Sequence, residues 1–215
     1  MNFEKIRADV IAGAIKCQDM GLIHGTSGNV SIADREFGIV VITPSGIPYQ
    51  DLSPEDVPVI SLEDGRVIEG EKKPSKETPM HLAIYHARPK MNAVVHTHSL
   101  FATVMSIFLN ELPAVAAASA PYAPIKVAPF EIPGSAEIAE AAVKAMEPGN
   151  IVCLLQSHGQ IAAGVTLDQA ISIADYVEEN AQTAYYAHAI GHMTPLPEEG
   201  FHIMRDRARK SMGLV

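Results

Sequence analysis

The spacing of apolar residues predicts several amphipathic helices. In the first twenty residues, Ile6, Val10 and Ile11 recur at the spacing of one helix face, and Gly21 is suited to end that helix. The same reasoning predicts further helices at 78–88, 99–108, 135–146 and 166–190, and a shorter one within 195–215. We expect Ser99 to cap the helix that follows it.

Short β-branched runs between turn residues predict strands. "GNVSI", "GIVVI", the residues 92–97, "IVCLLQ" and "QIAAGV" have this character, and "VPVISLEDGRVIEG" predicts a hairpin that turns at Asp64-Gly65. Weaker signals predict strands near 113–118 and 125–129, and Pro148-Gly149 predicts a turn. The pattern indicates a central sheet with helices on its faces, in one domain over 1–215 whose 195–215 tail is a candidate mobile segment.

Composition narrows the class of protein. The chain has 215 residues, of which 47% are hydrophobic and 19% charged, as in an ordinary globular domain. The net charge of −9 argues against nucleic acid or an anionic membrane surface as a partner. No apolar run reaches the ~18 residues of a membrane span. Two cysteines without a CxxC pattern, and an N-terminus unlike a signal peptide, predict a cytoplasmic protein.

The segment "VVHTHS" carries the first chemical signal. Alternate residues of a strand point to one face, so His96 and His98 are expected side by side. Two adjacent imidazoles suit a divalent metal, although a single histidine in an apolar run is more often a satisfied core residue.

Two further residues complete a set of candidate metal ligands. His158 lies in "QSHGQ" just after a buried strand, and Glu77 stands at the entry to a helix. Taken alone, each has an ordinary reading, as a turn histidine and a helix-start charge. Three imidazoles and one carboxylate together suit zinc or a similar ion. We interpret the remaining histidines as structural or surface residues: His24, His81, His86, His188, His192 and His202.

Three turns have the composition of an anion site. The stretches "GTSGN" (25–29), "TPSG" (43–46) and "PSK" (74–76) offer small residues, hydroxyls and backbone N–H groups, which hold phosphate without bulk positive charge. Any one of them alone is most often simply a turn.

Five motifs taken together resemble the class II aldolase/adducin-head family, and in particular its sugar-phosphate aldolases. They are "GTSGNVS", "ITPSG", "KPSKE", "HTHS" and "SHG", in this order, and the resemblance covers about residues 5–190. It implies an α/β fold, a single-domain α/β/α sandwich with a central, mostly antiparallel sheet. It also implies a homotetramer with active sites between subunits and a small-molecule sugar phosphate as substrate.

The resemblance also assigns residues to the site. It implies one divalent metal per chain, zinc by preference with manganese or cobalt as alternatives, held by His96, His98, His158 and Glu77. Glu77 matches a glutamate that moves protons in the aldolases, where the epimerases usually have aspartate. The matching phosphate positions are Thr26, Asn29, Thr43, Ser45, Gly46, Ser75 and Lys76.

The sequence departs from the aldolase pattern at two places. The aldolases commonly have a second serine where Lys76 stands, and "PSKE" also occurs in sugar-acid phosphate decarboxylases of the superfamily. Fuculose-phosphate aldolases have a tyrosine that acts as an acid in a neighbouring subunit's site, whereas "LPAVAAASAPY" has alanine there, with Tyr122 nearby as the candidate acid. Their mobile C-terminal tyrosine is also missing, because no tyrosine follows Tyr186. These departures weaken fuculose as the substrate.

The first functional hypothesis is a metal-dependent aldolase that cleaves a ketose 1-phosphate to dihydroxyacetone phosphate and an aldehyde. The second hypothesis is a decarboxylase acting on a 3-oxo sugar acid 4-phosphate. The third is a pentulose-5-phosphate 4-epimerase, and a dehydratase acting on a ketose phosphate is a further alternative. A non-catalytic, adducin-like scaffold is the weakest hypothesis, because all four ligand positions are filled.

Overall fold

A computed structural model describes residues 3–146 and 149–212. Its strands are β1 (Gly28–Asp34), β2 (Ile39–Ile42), β3 (Val59–Ser61), β4 (Val67–Glu69), β5 (Ala93–Thr97), β6 (Glu111–Leu112), β7 (Ile125–Ala128), β8 (Val152–Leu155) and β9 (Gly159–Gly164). Its α-helices are α1 (Glu4–Asp19), α2 (Thr78–Ala87), α3 (Leu100–Phe108), α4 (Ala136–Ala145), α5 (Leu167–Ile190) and α6 (Glu198–Ser211).

The described strands form one sheet in the order β4-β3-β2-β1-β5-β9-β8-β7-β6. Neighbouring strands are antiparallel except β7 and β8, which are parallel. Helices flank the sheet in two groups: α1 and α3 contact α5, which packs on β5 and β9, while α2 packs against α4. The predicted single-domain, mostly antiparallel α/β fold is thereby confirmed.

Strand β5 lies at the centre of the sheet between β1 and β9, and all five of its residues are buried. Its sequence, AVVHT, is apolar or β-branched apart from the histidine, as suits a strand covered on both faces. Any polar side chain placed here must find a partner inside the protein. His96, at the centre of the sheet, is therefore expected to have polar partners inside the protein.

The prediction of a strand at 113–118 is wrong. After the short β6 the chain makes a turn of 3-10 helix at Ala117–Ser119. The physical reason is Asn180 of α5, which is fully buried. Its Oδ1 accepts the backbone N–H groups of Val115 and Ala116 at 3.1 and 3.2 Å, and its Nδ2 donates to the Pro113 carbonyl at 2.9 Å. One side chain therefore makes the hydrogen bonds that a neighbouring strand would have made.

The start of α3 also differs from expectation. Ser99 stands at the cap position, but its side chain makes no capping bond. The carboxylate of Glu178 instead accepts the N–H groups of Phe101 and Ala102, each at 2.8 Å, and Ser99 Oγ accepts a hydrogen bond from Gln160. A negative charge at a helix N-terminus is favourable. The segment that follows His98 is thus anchored to α5.

The remaining expectations concern the tail and the surface. Residues 198–211 form α6, and Pro148 and residues 213–215 lie outside the described residues. Within the described ranges, no helix combines the length and the apolar character needed to cross a membrane.

A candidate metal centre beside an anion pocket

The register of the central strands brings two site residues together. Asn29 of β1 is paired directly with His96 of β5, so their side chains are neighbours on one face. His98 follows the end of β5, and the His96 and His98 rings lie with centroids 4.9 Å apart.

The hairpin between β8 and β9 presents the third imidazole. Ser157 has φ of 57°, which is unusual for a residue other than glycine, and its N–H donates to Ser106 Oγ at 3.0 Å. Gly159 has φ of 155°, and a Cβ there would collide with the Thr97 carbonyl oxygen. Only glycine fits this close approach. The turn places the His158 ring 4.8 Å from His96 and 4.6 Å from His98, measured between centroids.

The carboxylate of Glu77 enters this group from the start of α2. The backbone N–H of Glu77 donates to Ser75 Oγ at 3.2 Å, which fixes Glu77 at the cap position of α2. One oxygen, Oε2, accepts from Asn29 Nδ2 at 2.8 Å and lies 3.0 Å from His96 Nε2. The other, Oε1, lies 3.4 Å from His158 Nε2. One potential ligand atom from each of Glu77, His96, His98 and His158 lies within 4.8 Å of the other three.

The hydrogen bonding of His96 leaves an electron pair directed at the carboxylate. Its Nδ1 lies 2.8 Å from the Gln160 carbonyl, which only accepts, so Nδ1 carries the hydrogen. In the neutral ring Nε2 then has a lone pair, and it has no hydrogen-bond partner among the described residues. Glu77 Oε1 and His158 Nδ1 are likewise buried without a hydrogen-bond partner among the described residues. Two electron-rich atoms 3.0 Å apart repel unless a proton or a cation lies near both, so this donor set fits a divalent metal.

Burial adjusts the protonation of the cluster. It lowers the pKa of His98 and of His158 to about 4 each, with the charge of His96 acting in the same direction. Burial alone would raise the pKa of Glu77, but the positive charge that His96 carries when protonated, and the hydrogen bond from the Asn29 amide, outweigh burial and hold that pKa well below its usual range. Neutral imidazoles and an ionised carboxylate are the forms that bind metal.

A cavity of about 340 Å³ opens beside the cluster. It is lined by Glu77, His98 and His158 on one side and by the three predicted turns on the other, through Thr26, Asn29, Ser45, Gly46, Ser75 and Lys76. Backbone bonds join two of these turns, from Ser45 N–H to the Lys73 carbonyl at 2.9 Å and from Ser75 N–H to the Thr43 carbonyl at 3.1 Å. The exposed Lys76 makes no ion pair within the described part of the chain, so its ammonium is available to an anion in the pocket.

Two predicted site residues lie elsewhere. Thr43 is fully buried and does not line this cavity, because its Oγ1 accepts the Val30 N–H at 3.2 Å. Tyr122 is 9% exposed and stacks on Tyr176 with ring centroids 6.5 Å apart, also outside the lining.

Sequence reasoning missed the part played by His81. This residue is fully buried on α2, and its Nε2 lies 2.5 Å from Asn29 Oδ1. Burial lowers the pKa of His81 to about 3. The signal was available in the sequence, since His81 precedes the apolar Ile84 and Tyr85 by three and four residues and so belongs to the buried helix face.

The chain belongs to the class II aldolase and adducin family. The family model, described as the class II aldolase and adducin N-terminal domain, matches residues 8–185. This membership, together with a cluster that could hold a metal, makes the chain an enzyme of the class II aldolase type.

Individual relatives show the range of the family. The chain is 41% identical to a 5-deoxy-D-ribulose 1-phosphate aldolase of Bacillus thuringiensis serovar kurstaki, over 99% of this chain and 98% of the relative. It is 33% identical to an L-ribulose-5-phosphate 4-epimerase of Salmonella paratyphi B, over 87% of each chain. A solved L-fuculose 1-phosphate aldolase superposes with a TM-score of 0.91 at 34% identity, over 96% of this chain and 97% of that one.

Proposed function

We propose that the chain cleaves a ketose 1-phosphate to dihydroxyacetone phosphate and an aldehyde, with one divalent metal per chain held by Glu77, His96, His98 and His158. The observation that carries the proposal is the position of the four-ligand cluster at the wall of an anion pocket. Two relatives named above are aldolases of ketose 1-phosphates by name, which supports the same substrate class here.

The phosphate binds in the pocket between the three turns. The hydroxyls of Thr26 and Ser45 have no hydrogen-bond partner within residues 3–146 and 149–212, so they are available to an anion. Gly46 and Ser75 border the same space, and Lys76 adds a charge. We assign Thr43 a supporting part, since its hydroxyl holds β1 to the turn at 43–46.

Glu77 moves the proton at the carbon next to the ketone. In the condensation direction the carboxylate removes a proton from C3 of dihydroxyacetone phosphate, and the electron pair left on that carbon forms the C3–C4 bond to the aldehyde. The aldehyde oxygen takes up a proton, so no proton is gained or lost overall, and cleavage follows the same path in reverse. A divalent cation supplies Lewis acidity for the negative charge that develops on oxygen. Tyr122 does not line this chain's own cavity, so its proposed role as the acid for the aldehyde oxygen is in the site of a neighbouring subunit.

Lys76 favours one second candidate. An ammonium at the pocket also suits the carboxylate of a sugar acid, so decarboxylation of a 3-oxo sugar acid 4-phosphate would use the same cluster and the same turns. In that reaction the bond to the carboxylate breaks and carbon dioxide leaves, and the carbon that keeps the electron pair takes up a proton.

Further features support a homotetramer, zinc and a cytoplasmic setting. Large apolar side chains are exposed on and beside α3, including Phe108 at 73% and Ile107 at 56%, as expected of surfaces that bury against other subunits. A set of three imidazoles and one carboxylate is typical of zinc. Both cysteines, Cys17 and Cys153, are buried free thiols, which suits a reducing compartment.

One experiment separates the two reactions. Metal-loaded protein is incubated with dihydroxyacetone phosphate and glycolaldehyde or acetaldehyde, and the product is sought as a new ketose phosphate. The same protein treated with a chelator is the control. A condensation product that depends on metal supports the aldolase. Release of carbon dioxide from a phosphorylated 3-oxo acid, with no condensation product, overturns it in favour of the decarboxylase.

A further inference from the structure

A chain of buried hydrogen bonds runs from the core of the protein to the metal cluster. Tyr85 OH lies 2.7 Å from Ser31 Oγ, which lies 2.7 Å from His81 Nδ1. His81 Nε2 lies 2.5 Å from Asn29 Oδ1, and Asn29 Nδ2 lies 2.8 Å from Glu77 Oε2. Tyr85, Ser31 and His81 are fully buried.

The direction of every bond in this chain is fixed by chemistry. The Glu77 carboxylate accepts, so the amide atom that faces it is the donor Nδ2. The amide oxygen of Asn29 then faces His81, so His81 Nε2 carries the ring hydrogen. In the neutral ring Nδ1 is an acceptor, and Ser31 donates to it. Since Ser31 has used its only hydrogen, Tyr85 donates to Ser31, either to Oγ or to the carbonyl at 3.0 Å.

The orientation of the Asn29 amide matters to two parts of the site. One N–H holds Glu77 Oε2, and the residue also lines the anion pocket, where the second N–H has no acceptor in the described part of the chain. An amide rotated by half a turn would present its oxygen to the carboxylate and to the anion, and both contacts would become repulsive. Something must hold the amide in one orientation.

We propose that His81 is a positioning residue that holds the Asn29 amide with its N–H groups toward Glu77 and the anion pocket. Ser31 and Tyr85 fix the ring of His81 in the form that donates from Nε2. The inference rests on the proposed site, but it concerns a residue that touches neither metal nor substrate and acts through Asn29.

The test is a double-mutant cycle on metal affinity, with no turnover involved. Zinc affinity is measured by competition with a chromophoric chelator for the wild type, His81→Leu, Asn29→Ala and the double variant. Loss of a residue that orients a ligand typically weakens metal binding about 10-fold or more. We expect His81→Leu alone to weaken zinc binding by that factor. Adding His81→Leu to Asn29→Ala should weaken zinc binding by no more than about a further twofold. Losses that add in the double variant would overturn the proposal, because His81 would then act independently of Asn29.

Three further measurements separate positioning from a general loss of structure. In His81→Gln the side-chain amide N–H can replace Nε2–H, so we expect most of the zinc affinity to return. Ser119→Ala removes a buried hydroxyl beside Asn180, away from this chain of bonds, and should leave zinc affinity unchanged. The affinity for inorganic phosphate, measured by calorimetry, should follow the same cycle as zinc. Failure of His81→Gln to recover affinity, with the variant folded, counts against the proposal.

Nitrogen NMR of the histidine-labelled wild type tests the same point without any ligand. We expect His81 to carry its hydrogen on Nε2, and the Nδ1–H form would overturn the proposal. If the wild type takes up no zinc, the metal site is wrong and this measurement alone decides the role of His81. If the zinc cycle is non-additive but no aldol product forms, the proposed reaction fails and the role of His81 stands.

Discussion

The Nε2 atom of His96 lies 3.0 Å from the Oε2 atom of Glu77, and both residues are buried. The other ring nitrogen of His96 donates to the Gln160 carbonyl, so in the neutral ring the lone pair of Nε2 is directed at the carboxylate. This contact is unfavourable on its own and favourable around a cation. The first two predictions follow from it.

Purified protein is expected to contain about one divalent ion per chain, with metal–nitrogen distances near ~2.0–2.1 Å if the ion is zinc. His96→Ala removes a buried residue that we propose as a ligand and should abolish metal binding, as measured by elemental analysis after dialysis. His86→Ala is the matched control, since His86 is an exposed histidine of α2 whose ring contacts the Leu62 carbonyl. Full metal content in a triple variant of His96, His98 and His158 would show that the ion is held elsewhere.

Glu77→Gln keeps the size of the side chain and removes the base. If Glu77 moves the proton at C3, turnover should fall by ~10²–10⁴ while most of the metal stays bound. Steady-state rates and metal content are measured on the same sample. Glu137→Gln, at the exposed start of α4, is the control for loss of a helix-start charge. Near-normal turnover in Glu77→Gln would show that Glu77 is only a negative charge at the start of a helix.

Lys76→Ser tests which anion the ammonium serves. A complete charge-assisted contact contributes ~1.5–3 kcal/mol, and an exposed lysine contributes less. We therefore expect dihydroxyacetone phosphate to bind only about tenfold more weakly, or less, with aldol activity still detectable. Lys73→Ser, in the same segment, is the control. If the wild type decarboxylates a phosphorylated oxo acid and Lys76→Ser abolishes that reaction, the second candidate function is correct.

Gly159→Ala should unfold or strongly destabilise the β8–β9 turn, because the new methyl group would collide with the Thr97 carbonyl. We expect a loss of at least about 2 kcal/mol in the free energy of unfolding, together with loss of metal. Urea denaturation measures the free energy of unfolding. Gly38→Ala also has positive φ but meets no atom within 4 Å, so it should cost much less. Equal losses in the two variants would mean that backbone strain, and not the collision, is responsible.

The buried thiols predict a fall in stability at alkaline pH. Burial raises the pKa of Cys17 and of Cys153 from about 9 to about 12. Above pH 9 the unfolded chain releases these protons and the folded chain keeps them, so the stabilisation is complete below that pH and is lost as pH rises. Urea midpoints should therefore decrease between pH 8 and pH 10, less steeply in Cys153→Ala. An unchanged slope in that variant would exclude Cys153 as a contributor.

Much of the fold could be predicted because local patterns and tertiary packing agree. The alternation in β5, the turn residues of the hairpins and the apolar face of α1 each specify one structure without reference to distant residues. The segment at 113–118 could not be predicted, because its conformation depends on Asn180, which is more than sixty residues away in sequence.

The site divides in the same way. The spacing of His96 and His98 is local and gives their proximity directly. Glu77 and His158 were candidates from their places at a helix entry and after a buried strand, and the resemblance then assigned them to the same site as His96 and His98. Sequence spacing alone does not bring α2 and the β8–β9 turn to β5. His81 escaped notice because its role depends on the side-chain amide of Asn29, a residue more than fifty positions earlier.

The pairing of Asn29 with His96 has a practical consequence for handling the protein. A slip of one residue between β1 and β5 would turn Asn29 to the opposite face and separate it from both His96 and Glu77. Asn29 holds the Glu77 carboxylate, so under the proposed site refolded material that recovers full metal affinity has recovered the native alignment of these two strands. With that site, metal affinity provides a measure of refolding yield that requires no substrate and no knowledge of the reaction.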